Sequence, residues 1–321
     1  MSDRPCLGGI AYAFADEARS VAELGAAGLL TSDPAVLEGF GFGHAHVAVA
    51  ESPYQLAVAA ARRLLEERRI APESVDLLLY GGTPGPLAQQ PADVPWNGGL
   101  LQTTARFKYP AARLQYELGL ERATVLGLDQ LACVTLFGAV RVARALCLTE
   151  GLQRVLCVAS EFFPAAAGRE AIFNCTSDAA VALLVERSGP RNRIAGAAQV
   201  TKGYYWDCDA LRDEIVASYF PTAVHVVERA LAVAGWLPDE VDWVIPHNVS
   251  RTSWEILMGL LGLPRARLWA GNIARRGHAL AGDNFINLRD ALQGGDVRPG
   301  EKLLLFAYGY GAHWTALAVE A

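Results

Sequence analysis

One passage of this chain is written twice, and that repeat restricts the fold more than any other feature. In the first copy, Ser52-Pro-Tyr-Gln-Leu-Ala-Val-Ala-Ala-Ala-Arg-Arg-Leu-Leu-Glu66 pairs a capping serine and a first-turn proline with apolar positions at helical spacing. Pro72-Glu-Ser-Val-Asp76 follows, and then the apolar run Leu77-Leu-Leu-Tyr80. In the second copy, a helical stretch from about Pro221 to Ala234 leads to Pro238-Asp-Glu-Val-Asp242 and Trp243-Val-Ile-Pro-His247. A second pair keeps the same order: the helix after Cys133 precedes Arg154-Val-Leu-Cys-Val-Ala159, and a helix over 283–293 precedes Lys302-Leu-Leu-Leu-Phe-Ala307. Apolar runs alternating with helices predict an α/β fold whose strands are covered on both faces. Two copies indicate duplicated halves, not a solenoid. The polar, turn-rich break Ser188-Gly-Pro-Arg-Asn-Arg193 places the halves at 1–187 and 188–321.

Composition removes several function classes. A formal charge of −6 without a clustered Lys/Arg run argues against nucleic acid as a partner. The six cysteines form no Cys-x-x-Cys pair and show no zinc-ligand spacing, so no metal is expected. The sequence shows no signal peptide and no apolar run of membrane-spanning length, which makes a reducing cytoplasm the default expectation.

Cys133 concentrates the chemistry. It ends Gly127-Leu-Asp-Gln-Leu-Ala-Cys133, directly ahead of a helical pattern through Leu136, Phe137, Val140 and Cys147. A thiol at a helix N-terminus meets unpaired N–H groups and the positive end of the dipole, which favours the nucleophilic thiolate. His247 and His278 lie far away in sequence, as expected of a covalent acyl-transfer site assembled by folding. Cys133 falls in the first half and both histidines in the second, so a site at the junction would unite them. Cys147 and Cys157 read as core thiols, and His44, His46, His225 and His313 as structural or surface groups. Asp283, five residues beyond His278, could orient that ring or cap the helix after it, and the capping pattern is the stronger of the two.

Together, Ala132-Cys133, Val244-Ile-Pro-His247-Asn248, Gly277-His278, Thr176-Ser-Asp-Ala-Ala-Val and the C-terminal Phe306-Ala-Tyr-Gly-Tyr-Gly311-Ala-His-Trp314 resemble the thiolase fold, and within it the β-ketoacyl-acyl-carrier-protein synthase III branch. The resemblance spans nearly the whole chain. It implies a five-layered α-β-α-β-α arrangement, with Cys133 as acyl-accepting nucleophile and His247 in the second half-reaction. It also implies an oxyanion hole from the backbone N–H groups of Cys133 and Tyr310, although Tyr310 replaces a family glycine. Where the family carries Gly-Asn-Thr-Ser, this chain has Gly277-His278-Ala-Leu280. His247 and His278 could act as neutral Nε2–H donors to a thioester carbonyl, or one of them could deprotonate an amine or hydroxyl acceptor.

The implied substrates are acyl-CoA or acyl-carrier-protein thioesters, with no permanently bound cofactor. Arg251, Arg275 and Arg276, with Arg265 and Arg267, are candidates for contacting phosphate or an acidic carrier protein. The stretch 84–116, with Trp96 and Phe107, corresponds in the family to acyl-pocket lining and dimer contacts. A homodimer is implied; a heterodimer with a related subunit is the other arrangement. The functional expectation is a synthase or acyltransferase with an acyl-Cys133 intermediate, passed on by decarboxylative condensation or by transfer to an oxygen, nitrogen or carbon nucleophile, in specialised polyketide- or fatty-acid-like biosynthesis. The alternative is a catalytically silent subunit supporting a partner ketosynthase. A degradative thiolase is disfavoured because no cysteine follows Cys208.

Overall fold

The computed structural model describes residues 4–82, 109–163 and 167–321. Most of the stretch 84–116, including Trp96 and Phe107, therefore lies outside the described residues. Nine strands form the main sheet: β1 (Cys6–Phe14), β2 (Leu77–Gly81), β3 (Thr124–Leu128), β4 (Arg154–Glu161), β5 (Ala179–Glu186), β6 (Arg193–Thr201), β7 (Trp243–Pro246), β8 (Lys302–Gly309) and β9 (His313–Glu320). Their order is β7-β8-β9-β6-β1-β5-β4-β2-β3. The helices that matter here are α1 (Pro53–Arg68), α2 (Thr135–Thr149), α3 (Arg212–Ala234), α4 (Arg251–Leu260) and α5 (Asp283–Gly294).

The duplication seen in sequence is topological. From β1 the first half pairs antiparallel to β5, antiparallel to β4, parallel to β2 and parallel to β3. From β6 the second half pairs antiparallel to β9, antiparallel to β8 and parallel to β7. A lone parallel bridge, Val244 to Leu268, stands where the first half has β3. One pairing, Cys6 with Arg193, joins the two half-sheets.

Three cores account for the layering. α1 packs its Leu56, Ala60, Leu64 stripe on one face of the first half-sheet. α3 and α4 cover the outer face of the second. Between the two half-sheets lie α2 and α5, whose Phe137 and Phe285 rings meet at 5.2 Å. This is the α-β-α-β-α arrangement that the resemblance implies. By length and composition alone, Ala132–Thr149 could cross a membrane; here just over half of it is buried within the central layer.

Local chemistry explains the helix limits. Ser52 and Gln55 form a reciprocal capping box with Pro53 at the first helical position, as the spacing predicts. α3 departs from the reading that starts it at Pro221: it begins two turns earlier and runs through that proline. Proline inside a helix forfeits one backbone bond and is ordinarily read as a boundary. The added N-terminal turns carry Arg212, Ile215, Val216 and Tyr219 to the functional cavity.

Candidate active site

α2 and α5 occupy equivalent places in the two halves, and each presents its N-terminal approach to the same point. Cys133 sits in a 3-10 turn, Ala132–Val134, ahead of α2. Gln130 and Ala132 before it have positive φ angles of 65° and 46°, and Leu280 after His278 has 45°. Non-glycine residues persist in this region only where their surroundings fix them, and such positions cluster at functional sites. Thr135 Oγ1 helps fix the turn by donating to the Ala132 carbonyl at 2.8 Å.

Gly277 and His278 are held from the other side. His278 N–H donates to Cys175 O at 2.7 Å, and Ser177 N–H donates to His278 O at 2.9 Å. Gly277 has φ 61°, and a Cβ there would lie 2.8 Å from both Cys175 O and Ser177 Oγ, so glycine is required.

The side chains converge in a buried chain of contacts. Cys133 Sγ lies 3.5 Å from His278 Nε2, and His278 Nδ1 lies 2.5 Å from Asp283 Oδ2. Asp283 also accepts from the Ala279 N–H at 2.6 Å and the Asn248 N–H at 2.7 Å. It is fully buried, Cys133 is 7% exposed and His278 is 4% exposed. Asp283 therefore does not cap the following helix: Gly282 holds that position, and the carboxylate turns inward to the ring. The sequence pattern favoured the cap because an aspartate opening a helix looks the same in either role.

The two histidines are electrostatically unlike. Burial opposes charge on His278, but the Asp283 carboxylate, through its charge and its hydrogen bond, and then Cys133 outweigh it and push the ring up to about 10. His247, with ring centroids 5.7 Å apart from His278, is lowered to about 3 by burial first and then by the charge of His278. The two rings therefore differ in how readily they hold a proton, His278 far more than His247.

Asn248 is a residue that sequence reasoning left without a role. Its Nδ2 donates to Gly277 O at 2.7 Å, and its Oδ1 accepts from Asn287 Nδ2 at 2.9 Å. Asn287 also donates to Pro246 O, and Asn284 to Ile245 O and Phe306 O. Three polar residues of α5 therefore tie the ends of β7 and β8 to the His278 segment. Trp254 is core and donates to His247 O at 2.9 Å.

A cavity of about 450 Å³ opens onto Cys133, His247 and His278. Tyr308, Tyr310 and Tyr219 line it with Phe40, Ile215 and Phe220. Of the arginines singled out in sequence, Arg275 bonds back to Gly271 O and Asn272 Oδ1, while Arg276 stacks on Phe14 and reaches His46 Nε2 at 3.3 Å. Neither lines the cavity. Arg251 lies on its rim between the lining residues Ser250 and Thr252, and Arg212, unremarked in the sequence, lines it directly. Among the described residues no group of His, Cys, Asp and Glu could hold a metal ion.

Gly309 packs against the turn that carries Cys133. A Cβ there would stand 2.6 Å from Leu131 O and 3.2 Å from Cys133 N. Gly309→Ala is expected to shift that turn and slow acylation of Cys133 by about 10²- to 10³-fold, the usual scale for losing one oxyanion donor. Single-turnover labelling of the folded variant reads this directly; an unchanged rate would show the contact to be slack.

The comparisons agree with this architecture. Residues 231–321 match the family model described as 3-oxoacyl-[acyl-carrier-protein (ACP)] synthase III C terminal. A β-ketoacyl-[acyl-carrier-protein] synthase III of Aquifex aeolicus is 25% identical over 303 residues, covering 90% of this chain and 91% of the relative. Over most of its length the chain is similar to ketosynthase III proteins. The crystal structure of 3-oxoacyl-[acyl-carrier-protein] synthase III from that organism superposes with TM-score 0.83 at 21% identity, covering 99% of this chain and all of the other. ChlB3, described as an acyltransferase, gives TM-score 0.85 at 21% identity, covering 99% and 98%. The ketosynthase III-like fold therefore extends across both halves, whereas the family model matches only the last third.

Proposed function

We propose that this ketosynthase III-like enzyme is an acyl-thioester-dependent acyltransferase: it loads an acyl group onto Cys133 and passes it to a protic acceptor, an alcohol or amine. The chain Cys133–His278–Asp283 carries the reading. A nucleophile, a base within reach and a carboxylate orienting that base form the arrangement that moves protons during acyl transfer. Decarboxylative condensation asks instead for donors on a thioester oxygen and no proton abstraction from an acceptor.

The steps balance. The Cys133 thiolate attacks the carbonyl carbon of a CoA or carrier-protein thioester, and backbone N–H groups of Cys133 and Tyr310 receive the oxyanion. Collapse breaks the donor C–S bond, and the departing sulfur takes the proton of the His278 imidazolium. Acylation takes away the contribution of the Cys133 sulfur to holding the proton on His278. The neutral ring then accepts the proton of the acceptor's O–H or N–H as that atom attacks the acyl carbon. Expulsion of Cys133 restores the thiolate facing imidazolium. Neutral His247 lines the same cavity and is placed to donate to the second carbonyl or acceptor.

Six free thiols suit a reducing cytoplasm. The replacement of Gly-Asn-Thr-Ser by Gly277-His278-Ala-Leu280 fits specialised biosynthesis. A homodimer is supported by β3, whose outer edge pairs with no described strand and exposes Leu126.

Chasing isolated acyl-enzyme tests the reaction. With small alcohols or amines, release of ester or amide without carbon dioxide is expected. Preferential release on addition of a malonyl thioester, with carbon dioxide and a carbon–carbon product, would overturn the reading in favour of condensation.

A further inference from the structure

Gly277 is the loosest link in the segment that carries His278. Its φ of 61° and ψ of −162° belong to a region open essentially to glycine alone, so the residue itself does not fix the chain on either side. On the far side, His278 is gripped through its backbone by Cys175 O and Ser177 N–H. On the near side the tie is a side chain: Ser177 Oγ donates to Arg276 O at 2.5 Å.

That hydroxyl belongs to a closed cycle of hydrogen bonds. It accepts from the His46 N–H at 2.9 Å. The His46 ring donates from Nδ1 to Ala15 O at 2.9 Å, which leaves Nε2 as an acceptor, and Arg276 Nη1 reaches Nε2 at 3.3 Å. His46, Ser177 and Arg276 each donate and accept within the cycle, so removing one member weakens the bonds of the other two. Phe14 packs beneath, its ring centroid 4.5 Å from that of His46 and 4.9 Å from the Arg276 guanidinium. His46 is 9% exposed and Ser177 is fully buried. The cycle joins the two halves, two residues from the ring that faces Cys133.

We propose that His46, Ser177 and Arg276 are positioning residues: together they set the course of Gly277 and so hold the His278 ring against Cys133. The proposal rests on the reading of His278 as the group that moves protons in acyl transfer.

The cycle carries a signature that simple packing lacks. A proton on His46 Nε2 would face the Arg276 guanidinium and remove the acceptor that closes the cycle. Burial first, with the charges of Arg276 and His44, lowers His46 from its ordinary 6.5, against the bond to Ala15 O, which raises it. Asp178, beside Ser177, is committed to Arg169 at 2.7 Å. Acid therefore opens the cycle below 6.5, far from His278 at about 10 and above His247 at about 3.

The proton resonance of His278 Nδ1–H and single-turnover acyl transfer provide the test, in wild type, Ser177→Ala, His46→Leu and His46→Gln. Ser177→Ala and His46→Leu are expected to shift the resonance and slow transfer by up to about 10²-fold, the scale for a misplacement of about 1 Å. Glutamine offers Arg276 an acceptor that does not titrate, so His46→Gln should recover most of the rate lost in His46→Leu. In wild type the resonance should move as pH falls below 6.5, and in His46→Gln that movement should vanish. An unmoved resonance and rate in Ser177→Ala would overturn the proposal, because the cycle would then only join the halves. Should a variant fail to fold, a wild-type resonance that stays in place as His46 gains its proton would overturn it equally. The underlying reading fails separately: no acyl group on wild-type Cys133, with the resonance still responding to His46, would remove transfer and leave the positioning.

Discussion

Cys133→Ala is expected to leave no acyl group on the protein and to reduce turnover on the order of a millionfold, the scale for removing a covalent nucleophile. The other thiols cannot substitute. Burial pushes Cys6 and Cys147 up to about 11, Cys175 up to about 12 and Cys157 higher still. Cys208 is also raised, chiefly by burial. Among the described residues, Cys133 alone of the six lines the cavity. Intact-protein mass spectrometry of wild type and variant, each mixed with acyl-CoAs and acyl-carrier proteins, reads the result. Label persisting in the variant would place the nucleophile elsewhere. An unlabelled but folded wild type would revive the silent-subunit alternative.

Asp283→Asn should slow acyl release to the acceptor by about 10³- to 10⁴-fold, as expected when a base loses its orienting carboxylate. An amide offers one oxygen where the carboxylate now accepts from Asn248 N–H, Ala279 N–H and His278, so at least one buried donor loses its partner. That costs about 1–3 kcal/mol of stability. The pH dependence follows from His278. Its folded-state value, about 10, lies above the ordinary 6.5. The stability it contributes is therefore complete below about 6.5 and lost as pH rises through about 10. In Asp283→Asn the upper edge of that window moves down. Denaturant unfolding at several pH values, with single-turnover release, checks both effects. An unmoved edge would show that Asp283 does not set the charge on His278.

Much of the fold is legible because buried strands next to helices leave long apolar runs, and two copies of one pattern reinforce each other. Leu77–Tyr80 and Val244–Ile245 are readable for that reason. The convergence of Cys133 and His278 also follows from their places before equivalent helices. The direction of Asp283 does not, since its three partners come from segments up to 35 residues away. Asn248 escapes notice for the same cause: its contacts to Gly277 and Asn287 exist only after β7 and α5 pack. Arg275 and Arg276 illustrate the limit of counting charge, because their guanidinium groups turn to local carbonyls and to Phe14, away from the cavity.

The division of labour between the two halves has a bearing on how such a chain is read in parts. Residues 231–321 contain His247, His278 and Asp283, to which the proposed reaction gives its proton transfers, and lack Cys133, to which it gives the acyl group. A fragment ending before β6 would hold the sulfur with nothing to manage its protons. Chemistry thus belongs to the seam, and neither fragment inherits a diminished version of it.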